Sequence, residues 1–506
     1  MWVFIAMEES KEGIIVLQDD ICFFYPVLFG AGGHNANNTG IGFRDRDIKS
    51  KTKGQWMDAF QIVKRDNKNI GVTYQGFWQQ IKQIYEKRGY YCTVIDKRIC
   101  NEDYGFPKPQ LDKMYGFRAS QEKLVTEAIT QNMSGLIGAP TRYGKTTLMA
   151  NVLRAYPTLT TCITAPGVDL CKQLHKDLSE GERRVKDRKF HYVDGSHKLK
   201  GPLNKGDIVV CSVDSLKNIN RNEFRLLLVD ESHAMAAPSR TPVLADFSRA
   251  RRIGFGATLK GRSDGRDPMT TGLFGPVLAE VTYKEAVAEG AICPLEVLFL
   301  DVEYMPKPKK VHRDHNATYE DVLYLNDIVA EKIRQISNEI IHPDLQTLIF
   351  IRTEKQAEYL RDVIGRDITV AMAKNMNATE REEVAQLLRN NIIKRCLCSK
   401  IYVQGVTFND VRVLINAEGG GYNTSAIQKP GRLAEIRPGK KCGIMIDLFF
   451  KPMPGINLRS PVLSQSYWDD PWKDSQNRET AFKEIGYNIK HCKDIATLRS
   501  EFNKLI

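Results

Sequence analysis

Residues 134–148, SGLIGAPTRYGKTTL, constrain this chain more than any other stretch. A short apolar run, Leu136 and Ile137, enters a turn that closes on Gly144, Lys145 and Thr146, and beyond it Leu148, Val152, Leu153 and Tyr156 recur at helical spacing. The order is strand, loop, helix. Backbone N–H groups at such a helix N-terminus point at phosphate oxygens, and a glycine keeps the approach clear of a Cβ. Lys145 is placed to reach β- and γ-phosphates, and the Thr146 hydroxyl to hold Mg2+. The candidate nucleotide contacts are therefore Ala139, Pro140, Thr141, Arg142, Tyr143, Gly144, Lys145, Thr146 and Thr147. Ala139 stands where the pattern GxxxxGK[ST] has its first glycine.

A second strand reinforces the first. FRLLLVDESH, residues 224–233, is an apolar run of the kind a parallel strand buried on both faces requires, and it ends in Asp230 and Glu231. Ligands of open α/β sheets bind at the carboxyl ends of the strands. Asp230 is thus expected to meet the metal and Glu231 to polarise an attacking water. Alone, an Asp-Glu pair after a strand reads as a solvated turn; downstream of a phosphate loop the metal-site reading prevails.

At 506 residues the chain has room for two or three domains. Its 73 Lys and Arg exceed its 61 acidic residues, and the pI of about 9.0 suits a polyanionic partner, nucleic acid first. The opening MWVFIAMEESKEGIIVL lacks a basic leader and breaks its apolar run at Glu8 and Glu9, so no secretory signal is expected. No apolar run is long enough for a membrane span. The 11 cysteines show no zinc-type CxxC pairs; Cys396 and Cys398 alternate on an expected strand and read as buried thiols in a reducing cytoplasm.

Four segments follow. Residues 1–105 mix strand-like runs (Ile14 to Leu17, Ile21 to Phe24) with an amphipathic helix in register at Phe77, Ile81, Ile84 and Tyr85. Residues 40–100 hold 13 Lys/Arg against 6 Asp/Glu. Lys49, Lys51 and Lys53 there are candidate phosphate grips, with a solvated face as the alternative. Residues 106–285 carry five expected parallel strands, at Leu136–Ile137, Thr161–Thr164, Ile208–Cys211, Leu226–Val229 and Ile253–Phe255, separated by helical patterns. Such alternation predicts a doubly wound α/β domain. Residues 286–450 repeat the pattern without a phosphate loop, with strands at Leu348–Ile351, Ile368–Ala371, Cys396–Ser399, Val411–Ile415 and Ile444–Ile446. One apolar stripe there, Val322, Leu325, Val329, Ile333, Ile336 and Ile340, predicts a single helix. Residues 451–506 form a tail with helical patterns.

The ordered motifs resemble those of the superfamily 2 helicases with a DExH box, most closely the phage UvsW group, relatives of the XPB and RecG type of branched-DNA translocase. FRASQ resembles the adenine-reading motif, with Gln121 on the base. APTRYGKT is similar to motif I in the form where alanine replaces the first glycine. TAPGVDLCKQ resembles motif Ia, placing Pro166 and Gln173 on a nucleic-acid backbone, and VVCSVDSL places Ser212 at another backbone contact. DESH resembles motif II and adds His233 to the nucleotide set, while GATL resembles motif III with Thr258 coupling hydrolysis to DNA grip. In the second domain SKIYVQGVTF, with Gly405, resembles motif V. QKPGRLAEIRPGK resembles motif VI, with Gln428 and Arg432 facing the γ-phosphate. One departure stands out: the family pattern QxxGRxxR expects arginine at 435, where this chain has Glu435, and the next arginine is Arg437. Lys440 and Lys441 are weaker substitutes.

The resemblance implies two tandem RecA-like doubly wound parallel-sheet domains, with a small α+β N-terminal DNA-binding domain and a helical C-terminal tail. It further implies an ATP- and Mg2+-dependent DNA helicase acting on forks, four-way junctions, single strands and R-loops. A monomer in the cytoplasm, that of the host if the chain is phage-encoded, is the expected state. An RNA helicase shares the same motor motifs, a restriction-type translocase subunit is a smaller possibility, and a DNA-binding protein switched by ATP with weak turnover is the alternative that Glu435 keeps open.

Overall fold

The computed structural model describes residues 12–18, 21–24, 42–44, 56–58, 60–65, 68–87, 89–98, 105–116, 118–257, 259, 266–305, 319–372, 376–399, 410–421, 430–455 and 470–506. Two compact units divide the chain: residues 1–139 with 144–281, and residues 282–506 with 140–143.

The first unit opens with a five-stranded sheet in the order Phe60–Arg65, Lys68–Tyr74, Ile21–Phe24, Glu12–Gln18, Tyr91–Asp96. Its neighbours are antiparallel except the last pair, which runs parallel. The expected helix spans Trp78–Lys87 and buries Ile81 and Tyr85. Ahead of it, the turn Gln75–Phe77 packs against the helix Asp267–Phe274. Phe77 is fully buried beside Met269 and Ala236. The approach is so close that a Cβ on Gly76 would overlap the Thr271 carbonyl, and one on Gly272 the Phe77 ring. Glycine is required at both positions for this small domain to seat.

Seven parallel strands form the central sheet of the first unit, in the order Phe190–Val193, Ile208–Ser212, Thr161–Ala165, Leu226–Val229, Arg251–Gly256, Gly135–Gly138, Val277–Glu280. All five expected strands are present and buried along their length. The two additional strands lie at the edges and are partly exposed, so they lack the continuous apolar run that marks a central parallel strand. On the strand Arg251–Gly256, Arg251 is buried, its guanidinium 3.7 Å over the Phe106 ring and donating to the Tyr156 hydroxyl at 3.0 Å.

The second unit repeats the architecture: seven parallel strands in the order Thr369–Ala371, Arg395–Cys398, Thr347–Phe350, Val413–Asn416, Gly443–Pro452, Leu295–Tyr304, Asn488–Cys492. Cys396 and Cys398 are buried in this sheet, as their alternation suggested.

Two expectations need correction here. The tail is not simply helical, because Asn488–Cys492 is a strand of this sheet, set between the helices Asp470–Ile485 and Ile495–Asn503 and paired with Leu295–Tyr304. Nor is the stripe from Val322 to Ile340 one helix. The α-helix covers Asp327–Gln335, π-helical turns flank it at Glu320–Tyr324 and Ile336–Ile340, and the chain breaks at Leu325. Asn326 causes the break by taking the cap position, its side-chain oxygen accepting from the Val329 N–H at 3.1 Å. Leu325 is left exposed while the other five residues of the stripe are buried.

Candidate nucleotide-binding site

The strand Gly135–Gly138 delivers the loop, and the Ala139 N–H donates to the Gly256 carbonyl on the neighbouring strand at 3.0 Å. Ala139 is buried, so its methyl is accommodated where the pattern has glycine. The loop turns through Arg142, at a φ of 72°, and the Tyr143 N–H closes back on the Pro140 carbonyl at 3.1 Å. Gly144 then caps the helix Lys145–Ala155 in the left-handed region, with φ 103° and ψ 45°. Its carbonyl accepts from the N–H of Thr147 at 2.8 Å and of Leu148 at 3.2 Å. A side chain at 144 would be strained twice, by that φ and by the Gln121 amide, whose Nε2 lies 2.6 Å from where a Cβ would stand. Gln121, on the helix Ala119–Ile129, is buried beside Gly144.

The acidic end is built by the strand Leu226–Val229. The Asp230 N–H donates to the Thr164 carbonyl at 2.9 Å, and the Glu231 N–H to Asp230 Oδ1 at 2.9 Å. Glu231 holds a left-handed backbone, φ 49° and ψ 48°, uncommon for a residue with a side chain and a form of strain that concentrates at functional sites. Its carboxylate lies 3.7 Å from the Lys145 ammonium and 3.4 Å from His233 Nδ1. Both separations are longer than an ordinary hydrogen bond. Burial, and then the neighbouring Glu231 charge, push the Asp230 carboxyl up to about 6. A buried anion destabilised in this way is a fitting ligand for a cation, and the Thr146 hydroxyl at the helix N-terminus supplies a compatible second oxygen.

Several groups around this cluster escaped sequence reasoning. The Arg154 guanidinium lies 3.5 Å over the Tyr115 ring and donates to the Tyr115 carbonyl, Asn151 Oδ1 and the Arg183 carbonyl. Arg183 in turn donates from Nε to the Thr147 hydroxyl at 3.0 Å. No motif covers Asn151, Arg154 or Arg183. Only a periodicity that placed Asn151 and Arg154 on the buried side of the phosphate-loop helix would have hinted at them.

The expected nucleic-acid contacts fare unevenly. Pro166 and Gln173 are half-buried, after the strand Thr161–Ala165 and on the helix Val168–Ser179 respectively. The Ser212 hydroxyl is buried and paired with that of Ser215 at 3.0 Å. Lys49, Lys51, Lys53, Thr258, Gly405 and Gln428 lie outside the described residues, and Arg432 is placed only as part of the turn Pro430–Leu433. Arg437, the substitute for the arginine missing at 435, donates to the Glu435 carboxylate at 3.0 Å. Of the weaker candidates, the Lys440 ammonium is held by the carbonyls of Val411 and Leu433, and Lys441 by that of Ile506. Burial pulls the Lys440 ammonium down to about 8.

Residues 114–261 match the family of the type III restriction enzyme res subunit, and residues 331–437 the helicase conserved C-terminal domain. The tandem of these two domains, each on its own parallel sheet, is decisive. This chain belongs to the superfamily 2 helicases. The chain is 23% identical over 395 residues to the DNA 3'-5' helicase XPB of Mycobacterium tuberculosis, a match spanning 74% of this chain and 65% of that protein. It is also 23% identical over 394 residues to the DNA 3'-5' translocase XPB2 of Sulfurisphaera tokodaii, spanning 68% of this chain and 84% of the relative. In fold it is similar to the type ISP restriction-modification enzyme LlaBIII bound to DNA, with a TM-score of 0.54 and 14% identity over 84% of this chain and 35% of that one. Among the described residues no helix is long and apolar enough to cross a membrane.

Proposed function

We propose that this chain is an ATP-dependent DNA helicase or translocase that remodels branched DNA, forks and four-way junctions first and R-loops as a further candidate. The observation that carries the reading is the Lys145, Asp230 and Glu231 cluster, assembled from two strand ends around a helix N-terminus. Thr146 and Asp230 would hold Mg2+, which supplies positive charge to the β- and γ-phosphates. Lys145 adds a second positive charge at the same end, and Gln121 fixes the base. Glu231 orients the attacking water and accepts its proton, a role that its place at the strand end beside Lys145 and Asp230 supports. Backbone contacts of the kind expected from Pro166, Gln173 and the basic N-terminal segment carry little sequence information, so recognition is by DNA structure. The names of the XPB relatives favour 3'-5' travel.

A second reading rests on one observation. Arg437 is engaged by Glu435, the residue standing where the family pattern has arginine. A motor without that arginine would bind ATP and DNA yet turn over slowly. Steady-state ATP hydrolysis, alone and with single-stranded DNA, duplex, a fork, a four-way junction and RNA, separates the readings. Stimulation greatest on the branched DNAs is expected. Stimulation by RNA alone would make the chain an RNA helicase, and ATP bound without stimulation by any nucleic acid would favour the switch.

A further inference from the structure

The phosphate-loop helix receives a cation from a segment that no motif covers. Residues 181–185 follow the helix Val168–Ser179, and Arg154 fastens their backbone to the last turn of the phosphate-loop helix through the carbonyls of Arg183 at 3.0 Å and Arg184 at 3.3 Å. From there the Arg183 side chain turns toward the N-terminal part of the phosphate-loop helix. It ends with Nε on the Thr147 hydroxyl at 3.0 Å. Thr147 is buried, one residue beyond the metal-side Thr146.

The side of the loop that Thr147 occupies is fixed by Gly144. A Cβ there would meet Gln121 Nε2 at 2.6 Å and Thr147 Oγ1 at 3.6 Å, so the base-reading glutamine and the threonine flank the same point. Lys145 points instead to Glu231. A second observation marks this side. Asn151, fully buried on the same helix, spends Oδ1 on the Tyr115 N–H and on Arg154, while its Nδ2 has no acceptor among the described residues. That Nδ2 lies 3.5 Å from where a Gly116 Cβ would stand, beside Gln121 Oε1 at 3.3 Å. A buried donor of this kind is costly unless something completes it.

We infer that Arg183 is a positioning residue for the nucleoside and α-phosphate end of ATP, acting through Thr147 on the base side of the phosphate loop. The guanidinium fixes the Thr147 hydroxyl rotor and places positive charge where the first phosphate follows the nucleoside. It serves binding, and the chemistry at Glu231 proceeds without it. The inference rests on the nucleotide-site reading given above. A competing role is neutralisation of Asp177, a half-buried acid whose charge Arg183 also faces.

The test uses the full chain, ATP as the probe, and the kcat and KM of DNA-stimulated hydrolysis, with thermal denaturation alongside. Arg183→Ala and Thr147→Val are each expected to raise KM about tenfold, the worth of one charge-assisted hydrogen bond, with kcat within about twofold and melting unchanged. The double variant should be no worse than the more affected single one, and Arg183→Lys should recover part of the loss. Unchanged KM, a loss confined to kcat, or a KM change that tracks lost stability would overturn the inference. So would rescue of Arg183→Ala by Asp177→Asn, which would assign the arginine to the acid. Lys145→Ala is the control: if it leaves ATP binding intact, the nucleotide-site reading itself fails. If it abolishes binding while Arg183→Ala keeps its KM, only the present inference falls.

Discussion

The two parallel sheets are built alike, yet they treat their charges in opposite ways. In the second unit Arg478 and Asp447 are almost wholly buried, at 1% and 0% side-chain exposure, and the two charges are bound to each other. Arg478 meets both Asp447 oxygens, at 3.0 and 3.1 Å, and also the Leu448 carbonyl at 2.8 Å, while Asn416 adds a further donor to the carboxylate. In the first unit Lys145 and Glu231 keep 13% and 14% exposure and stand 3.7 Å apart. A completed network belongs to the fold, since removing one member strands the other in a low dielectric. A pair that keeps solvent access beside a phosphate loop stays within reach of a ligand.

This contrast can be broken, and the largest expected effect lies in the second unit. Arg478→Ala should cost about 3–5 kcal/mol, the penalty of leaving a buried carboxylate unpaired, read by chemical denaturation. A loss under 1 kcal/mol would mean that water reaches Asp447 and that the network is not structural. Next in size, Glu231→Gln should lower ATP hydrolysis at least about a hundredfold while ATP still binds. Its stability should stay within about 0.5 kcal/mol of the parent, because glutamine keeps the size of glutamate at a partly exposed position. Retained turnover would place the base elsewhere and remove the functional half of the contrast. Smallest is Asn326→Ala, which deletes a helix cap in the second unit and should cost about 1 kcal/mol. Nucleotide affinity should not move; a shift would show that the second unit's fold and the first unit's site are not separable.

Much of this was legible before any coordinates. Phosphate loop and DESH strand declared themselves because central parallel strands demand unbroken apolar runs and a helix N-terminus at a phosphate demands glycine and lysine. Edge strands such as Phe190–Val193 and Asn488–Cys492 did not, since half-exposed sequence of mixed polarity carries no such signature. The stripe ending at Ile340 misled for a related reason. Periodicity registers which side chains face the core, and five of its six residues do, but it is blind to a cap that interrupts the backbone between them.

The sequence by itself determined the two-sheet architecture, the phosphate loop with its lysine and glycine, and the acidic pair that follows a buried strand. These follow from local rules, in which each residue type answers to its neighbours along the chain. Tertiary structure alone decided which charges are spent and which are kept. Arg478 finds Asp447 across 31 positions and Arg183 finds Thr147 across 36. Meetings of that kind depend on how helices lie on a sheet, and no spacing along the chain encodes them.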